Sequence, residues 1–289
     1  MNMRNSTIII LLLAFLASCE KEINIDYHEV EPMVVIEGRV TNEGTMVQVR
    51  RSRSVTDSVH GQSLPGASIF IYDDGVEHRL AYDPQDGCYK TDLIGTPGHT
   101  YRMDVEFEGK HYEATSVMPK PSNIISTDFY WFKIIDERLL VDVMWATDPD
   151  PEERNYFLFR MDRHSTNPHV SVKMQQRPYR WNAFDDRGNP PGRVYRDIHC
   201  MMEQTAKDDK EEDWKRILYD GDTIMLQLLT IDLPAFEYFR SLIAGQNQGA
   251  NPKSNISGGC LGYFMAAGIA RADTVVFHPD DVVEYVEPE

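Results

Sequence analysis

The sequence is poor in the residues and motifs that mark catalytic and metal sites. Its 289 residues include four cysteines, which are widely separated and show no C-x-x-C spacing, so neither a zinc knuckle nor a redox pair is indicated. The nine histidines are scattered along the chain. The chain also lacks a G-x-S-x-G elbow, an H-E-x-x-H motif, a Walker lysine loop and a G-x-G-x-x-G motif ahead of a helix. We therefore expect a protein without enzymatic activity, cofactor or metal.

Positive charge is scarce as well. Lysine and arginine total 29 against 46 aspartates and glutamates, which gives a formal net charge of -17. A surface this acidic repels phosphate backbones and anionic head groups, so nucleic-acid binding and membrane docking through a basic patch are excluded as primary functions. The same abundance of acids leaves one catalytic alternative open. Two carboxyl groups about 5 to 10 Å apart are enough for glycoside hydrolysis, and no linear motif reveals them.

The apolar run near the N-terminus, residues 8–16, is too short to span a bilayer. A transmembrane helix needs roughly 20 apolar residues, whereas the core of a secretory signal needs about 7 to 15 and is followed by small residues. Arg4 supplies the positive charge before this run, and Ala17 and Ser18 supply the small residues after it. We predict that residues 1–18 are a signal peptide.

The residues at the end of this segment indicate how the protein is anchored. Residues 16–19 read Leu-Ala-Ser-Cys and resemble the lipobox of bacterial lipoproteins, in which cleavage leaves a lipidated cysteine at the new N-terminus. We expect acyl chains such as palmitate on Cys19, with residues 19–30 as a tether. Each buried methylene contributes about 0.8 kcal/mol, so more than one chain gives stable attachment. The alternative is an ordinary signal peptide whose Cys19 is incidental.

Lipidation of Cys19 would leave Cys88, Cys200 and Cys260, an odd number in a compartment that permits disulfides. At most one disulfide can form among these three residues. Because their positions are widely separated in the chain, we predict buried free thiols.

An N-terminal domain of paired strands is predicted over residues 31–119. Short apolar alternations there are divided by glycine, proline, asparagine and aspartate, which is typical of an antiparallel sheet with one solvated face. The clearest strand has apolar side chains at alternate positions: Tyr101, Met103, Val105 and Phe107. Several strands at this spacing predict a β-sandwich, immunoglobulin-like or transthyretin-like.

A second β-rich module with one amphipathic helix is predicted over residues 122–289. Pro119 and Pro121 mark the boundary, because proline cannot continue a central strand. Near the end of the chain Asp232 suits a helix N-cap, and apolar residues then recur at helical spacing until Gly245. The aromatic residues of this helix are expected to pack in a core rather than to hold a ligand. The predicted fold class is therefore mainly β.

Two segments of the second module have a composition that is compatible with binding. Residues 148–153 carry four acids, which could supply oxygen ligands to calcium, but the segment lacks the glycine and terminal glutamate of an EF-hand, so a solvated turn is the prediction. Tyr179, Arg180 and Trp181 interleave a cation with aromatic rings, a composition common at binding surfaces. We select these three as candidate ligand-binding residues, with packing inside the module as the alternative.

Several short segments in order resemble one family, named domain of unknown function 4249. These segments are residues 19–23 (CEKEI), 34–38 (VVIEG), 97–101 (PGHTY), 221–223 (GDT), 255–259 (NISGG) and 261–264 (LGYF). The family comprises outer-membrane lipoproteins encoded beside TonB-dependent transporters in anaerobic Gram-negative bacteria of the gut and mouth. Cys260 interrupts the usual glycine-rich run of the family, which leaves the role of the closing strand open. No catalytic residues are established for the family, so none can be transferred to this chain.

The resemblance implies a location and a role. We expect the protein to be lipid-anchored in the outer membrane, and the acidic residues 20–22 are similar to a signal that exports some lipoproteins to the cell surface, although they suit a solvated tether equally. A TonB-dependent β-barrel transporter is the expected partner, with this chain as a non-catalytic accessory or ligand-binding component of nutrient uptake. The alternative is a structural or adhesive surface lipoprotein of the matrix or pilus-anchoring type, for which a swappable edge strand would serve.

Overall fold

The structure, a computed structural model, describes residues 31–52, 63–134, 137–202, 217–245 and 250–286. The predicted signal peptide, Cys19 and the tether lie outside these ranges. The chain from Pro32 onward forms one compact unit. Strands account for 54% of the described residues and helices for 9%, which confirms the predicted mainly β class. Within the described ranges, no helix combines the length and apolar character required to cross a bilayer.

Eight strands lie before Pro119 in residues 31–52 and 63–118. They are β1 (Val34–Thr41), β2 (Gly44–Arg51), β3 (Ser68–Asp73), β4 (Val76–Arg79), β5 (Ala81–Asp83), β6 (Cys88–Thr91), β7 (Thr100–Phe107) and β8 (Lys110–Val117).

After Pro119, the described ranges contain ten strands, two helices and a short 3-10 turn at Pro279–Asp281. The elements are β9 (Ile124–Ile134), β10 (Glu137–Thr147), β11 (Tyr156–His164), α1 (Val172–Gln175), β12 (Arg180–Asp185), β13 (Arg193–Met202), β14 (Ile217–Leu218), β15 (Thr223–Ile231), α2 (Leu233–Gly245), β16 (Leu261–Arg271), β17 (Val275–Val276) and β18 (Val283–Glu284).

The strands form three sheets, of which the largest runs β12-β11-β15-β16-β1-β2-β6-β5, with β17 beside β15. The second sheet is β14-β13-β10-β9-β18 and the third is β4-β3-β7-β8. In the large sheet β1 lies parallel to β16, although the two strands are more than 200 residues apart in the chain. The sheet is therefore continuous across the boundary predicted at residues 119–122. Independent folding of residues 31–119 and of residues 122–289 stays a prediction.

The N-terminal half of the large sheet packs against the third sheet to form the first sandwich. On β7 the apolar residues Tyr101, Met103 and Val105 are fully buried, and the residues between them are partly exposed, as the alternation predicts. Phe264 and Ala266 of β16 belong to the same core. Burying each such large apolar side chain contributes about 1.5–3 kcal/mol, so the C-terminal segment supplies part of the stability of the N-terminal sandwich.

β16 approaches β1 so closely that one position requires glycine. Gly262 has a φ of 104°, in the region that L residues rarely adopt, and a Cβ placed there would lie 1.9 Å from the Ile36 carbonyl oxygen. The glycine in the segment LGYF therefore has a packing role. It allows the parallel contact that makes one sheet of the two segments.

The other half of the large sheet packs against the five-stranded sheet to form a second sandwich. Its core includes Phe157 and Met161 of β11, Leu228 of β15, Met144 of β10 and Ile198 of β13. The large sheet is thus shared by two sandwiches.

Helix α2 lies on the opposite face of the large sheet from the second core. Asp232 caps it as predicted, because its Oδ1 accepts a hydrogen bond from the Ala235 amide at 3.1 Å. Its Oδ2 accepts a bond from the Ser116 hydroxyl at 2.7 Å, which joins the helix to β8. Tyr238 and Phe239 are buried against the sheet, so the prediction that aromatic residues of this helix belong to a core is confirmed.

The three described cysteines are free, as predicted. Cys88 and Cys260 are buried, whereas Cys200 is half-buried. Burial raises the pKa of Cys260 to about 11, so its unreactive thiol form dominates at neutral pH.

Candidate functional site

β12 and β13 follow each other in the chain but belong to different sheets. β12 is an edge strand and pairs with β11. β13 pairs with β10 along most of its length and with β14 only at Met201 and Met202. Two strand edges therefore border an open groove of about 540 Å³ at the rim of the second sandwich, which we call the β12–β13 groove.

The β12–β13 groove combines aromatic, cationic and amide side chains. Its volume falls within the range of about 300–1,000 Å³ that is usual for small-molecule sites. The lining residues are Phe159, Arg180, Trp181, Asn182, Tyr195, Arg196, Asp197, Ile198 and His199.

Arg180 bridges the two strands. Its Nε donates a hydrogen bond to the His199 carbonyl oxygen at 2.7 Å, and its guanidinium lies 4.6 Å from the centre of the Tyr179 ring. A planar guanidinium held at both its edge and its face has little rotational freedom. Arg180 therefore fixes the separation of β12 from β13 at this end of the groove.

The three candidate residues chosen from the sequence do not share one surface. Tyr179 is buried in the second core, where its hydroxyl accepts a bond from the Met201 amide at 3.1 Å and burial raises its pKa. Trp181 lies on the opposite face of β12 from Arg180, because side chains alternate along a strand. Its ring contacts Phe239 of α2 edge-on at 6.3 Å. Arg180 and Trp181 line the groove, and Tyr179 supports Arg180 from behind.

Two lining residues that the sequence did not point to carry unused hydrogen-bonding capacity. The Oδ1 of Asn182 is buried and accepts no hydrogen bond from the described residues, an arrangement that costs about 1–3 kcal/mol. The Arg196 guanidinium lies 4.8 Å from the centre of the Phe184 ring and makes no hydrogen bond or ion pair within the described part of the chain. Burial lowers the pKa of Arg196. Neither residue stood out in the sequence, because only the packing of two different sheets brings them together.

The acidic turn of residues 148–153 surrounds an amide. The Nδ2 of Asn155 donates to Asp148 Oδ1 at 2.8 Å and to the Asp150 carbonyl oxygen at 2.7 Å, and it lies 3.3 Å from Asp186 Oδ2. The oxygens that could have served calcium thus act as acceptors for a buried side chain. This arrangement accounts for the turn without an ion.

Two surface clusters contain three potential metal ligands each. Asp73, Asp74 and His99 form the first, in which His99 Nδ1 lies 2.7 Å from Asp73 Oδ1. This contact is the main cause that raises the pKa of His99. The second cluster is Asp104, His111 and Glu113. Both are partly exposed, and the ligands of the first are already joined by a hydrogen bond.

The chain matches one protein family along most of its length. Residues 20–272 fit the family described as Domain of unknown function (DUF4249). The chain belongs to this family. The match begins directly after Cys19 and reaches the residue after β16, so strands β1 to β16 and helix α2 lie within it, whereas β17 and β18 follow it. A comparison with curated proteins gives no match.

Proposed function

We propose that this protein is an outer-membrane lipoprotein, anchored through Cys19, that binds a ligand without catalysis as an accessory of a TonB-dependent nutrient uptake system. Its family membership and the lipobox-like residues 16–19 support the anchor. The observation that carries the binding role is the β12–β13 groove. There, within the described residues, the Asn182 Oδ1 accepts no hydrogen bond and the Arg196 guanidinium makes no hydrogen bond or ion pair, and both lie beside aromatic rings.

The groove suits a small polar ligand that has an anionic group and a flat face. Arg196 would pair with the anion, a donor on the ligand would satisfy Asn182 Oδ1, and Trp181 and Tyr195 would contact the ring. Cation-π and charge-assisted contacts of this kind contribute about 0.5–3 kcal/mol each, so a few of them give micromolar to millimolar affinity. The lipid anchor would keep the protein in the plane of its partner, and this effective concentration makes a weak contact useful.

The groove lacks the arrangement that glycoside hydrolysis needs. Asp197 is the one carboxylate among its lining residues, and it accepts a hydrogen bond from the Tyr195 hydroxyl. A mechanism with two facing carboxyl groups therefore has no second member in this part of the described structure. This absence of a partner acid favours binding over catalysis at the groove.

A paired substitution tests the groove. Arg196→Gln removes the cation of the groove that makes no hydrogen bond to the described residues, and Arg193→Gln makes the same change on an exposed residue of the same strand outside the groove. In bacteria that carry the full chain and depend on it for growth on a nutrient, we expect R196Q to reduce uptake of that nutrient about tenfold and R193Q to leave it unchanged. Equal uptake by both variants, with both proteins folded by circular dichroism, would remove the groove from the proposal.

A second candidate function is structural or adhesive. The outer edge of β12, which pairs with no described strand, favours it. An edge strand with unpaired backbone groups can accept a strand from another chain. Affinity purification of the tagged full chain from detergent-solubilised outer membranes separates the two candidates. We expect a β-barrel transporter to co-purify and mass spectrometry to find acyl chains on Cys19. Recovery of filaments or of further copies of this chain would support the adhesive role, and an unacylated N-terminus would overturn the anchor.

A further inference from the structure

The large sheet changes partners in its middle, at strand β16. Residues 261–267 of β16 pair with β1, whereas residues 268–271 pair with β15. The turn after β1 contacts β16 just after this change of partner. The Asn42 side chain accepts a bond from the Ile269 backbone amide at 2.8 Å and donates one to the Ile269 carbonyl oxygen at 3.0 Å. We call the depression at this point the seam pocket.

The seam pocket has a volume of about 490 Å³ and shares no lining residue with the β12–β13 groove. It spans strands from both predicted segments of the chain, so only the complete sheet creates it. The side chains that matter for binding are Arg39, Met46, Lys90, Arg160, Gln227 and Arg271, with the acids Glu43 and Asp162.

Cations line this pocket in a chain whose formal net charge is -17. Four cations and two acids belong to the lining, and Asp83 and Asp86 pair with one of the cations, Lys90. Four acids therefore balance the four cations, and an anion would be held by the donors that these acids leave without a contact.

Strand register holds the pocket residues in two rows on one face of the sheet. Arg160 lies directly opposite Gln227, which lies opposite Arg271. On the other side of the seam Arg39 lies opposite Met46, which lies opposite Lys90. Directly opposed residues have Cβ atoms about 4.5–5.5 Å apart, so the sheet fixes the spacing of these side chains before any ligand arrives.

Some of these groups are already paired within the protein. Arg271 forms a two-point contact with Glu43, through Nε at 2.6 Å and through Nη2. Lys90 pairs with Asp83 at 3.0 Å and with Asp86. These contacts hold Lys90 and Arg271 in place and neutralise their charges.

Other groups keep donors without a partner. Arg160 uses only its Nε, which donates to Asp162 at 2.8 and 2.9 Å, so its two terminal nitrogens make no hydrogen bond to described residues. Arg39 is exposed and, within the same ranges, makes neither a hydrogen bond nor an ion pair. The side-chain amide of Gln227 also makes no hydrogen bond to the described residues. Donors on β1, β11 and β15 therefore converge on one space.

We propose that the seam pocket binds a small organic polyanion, a molecule with two or more carboxylate or phosphate groups. Arg39 and the terminal nitrogens of Arg160 would hold separate anionic groups, because guanidinium forks match both carboxylate and phosphate geometry. Met46 and Ile269 provide apolar contact for the carbon frame between those groups. This site is independent of the lipid anchor and of the β12–β13 groove.

Calorimetric titration of the full chain in detergent, at low ionic strength, tests the proposal. The probes are citrate, which carries carboxylates, and pyrophosphate, which carries phosphates. Arg39→Gln removes the unpaired cation, Gln227→Ala removes an uncharged donor, and Arg79→Gln is a control at an exposed arginine outside the pocket. We expect R39Q to weaken binding at least tenfold, Q227A to weaken it about threefold, and R79Q to leave it within twofold of the unsubstituted chain.

The two probes also separate the sources of the anion. Binding of citrate alone assigns a polycarboxylate, binding of pyrophosphate alone assigns a phosphorylated molecule, and binding of both supports the shared chemistry. Q227A and R39Q are tested as separate variants. Weaker binding in both excludes an effect of net charge alone, because Q227A changes no charge. Absence of binding by either probe, or equal weakening in R39Q and R79Q, would overturn the proposal.

Discussion

Asp142 is a carboxyl group placed inside the second sandwich. It is 1% exposed, its Oδ1 accepts a bond from the Thr127 hydroxyl at 2.6 Å, and its Oδ2 accepts no hydrogen bond from the described residues. Burial is the main cause that raises its pKa, from 3.8 to about 7. The burial of this carboxyl group thus makes the stability of the core sensitive to pH.

The pH dependence of stability follows from that shift. The folded state keeps the Asp142 proton up to about pH 7, whereas the unfolded state releases it near pH 4. Between these values the unfolded chain binds fewer protons, so this residue lowers the free energy of unfolding as pH rises from 4 to 7. We expect Asp142→Asn to remove this decline, which is on the order of 4 kcal/mol for a shift of about three pKa units.

Urea unfolding at pH 4.5 and pH 7.5, monitored by circular dichroism, measures the effect. Asp273→Asn is the control. Asp273 is exposed, and this substitution changes the formal charge of the chain by the same amount as Asp142→Asn. The control should keep the pH dependence of the unsubstituted chain. An unchanged decline in D142N would show that Asp142 ionises normally in the fold.

Individual elements differ in how well the sequence predicted them. β7 was predictable because its apolar residues alternate strictly, and α2 because Asp232 and the helical spacing after it act locally. The β12–β13 groove was not predictable, because it depends on two consecutive strands joining different sheets. Tyr179, Arg180 and Trp181 illustrate this difference. Their composition attracted attention, but alternation along β12 places Arg180 and Trp181 on opposite faces, and Tyr179, which precedes the strand, is buried in the second core.

At the scale of the whole molecule the shared sheet joins the two sandwiches. β16 contributes Phe264 to the first core and extends to β15 in the second sandwich. The Ser116 hydroxyl of β8 accepts a bond from the Ala266 amide and donates one to Asp232. These contacts cross the boundary predicted at residues 119–122, so separation of the segments would expose apolar surface on both sides.

We therefore expect the protein to unfold in one cooperative transition. All four tryptophans lie after residue 122, so their fluorescence reports the second segment, whereas far-ultraviolet circular dichroism reports every strand. In urea both signals should give the same midpoint, because loss of β16 from one sandwich removes it from the other. Two separate midpoints would show that the segments fold independently.

The sequence by itself determined the fold class, the family and helix α2, because these depend on composition, short-range order of motifs and periodicity along the chain. Only the tertiary structure decided that β1 pairs with β16, that Arg196 and Asn182 share a groove with Arg180, and that Arg39, Arg160 and Arg271 surround one pocket. The physical reason is the same in each case. Pairing between strands far apart in sequence is selected by burial on both faces of the sheet, and no local pattern records which distant strand will be the partner.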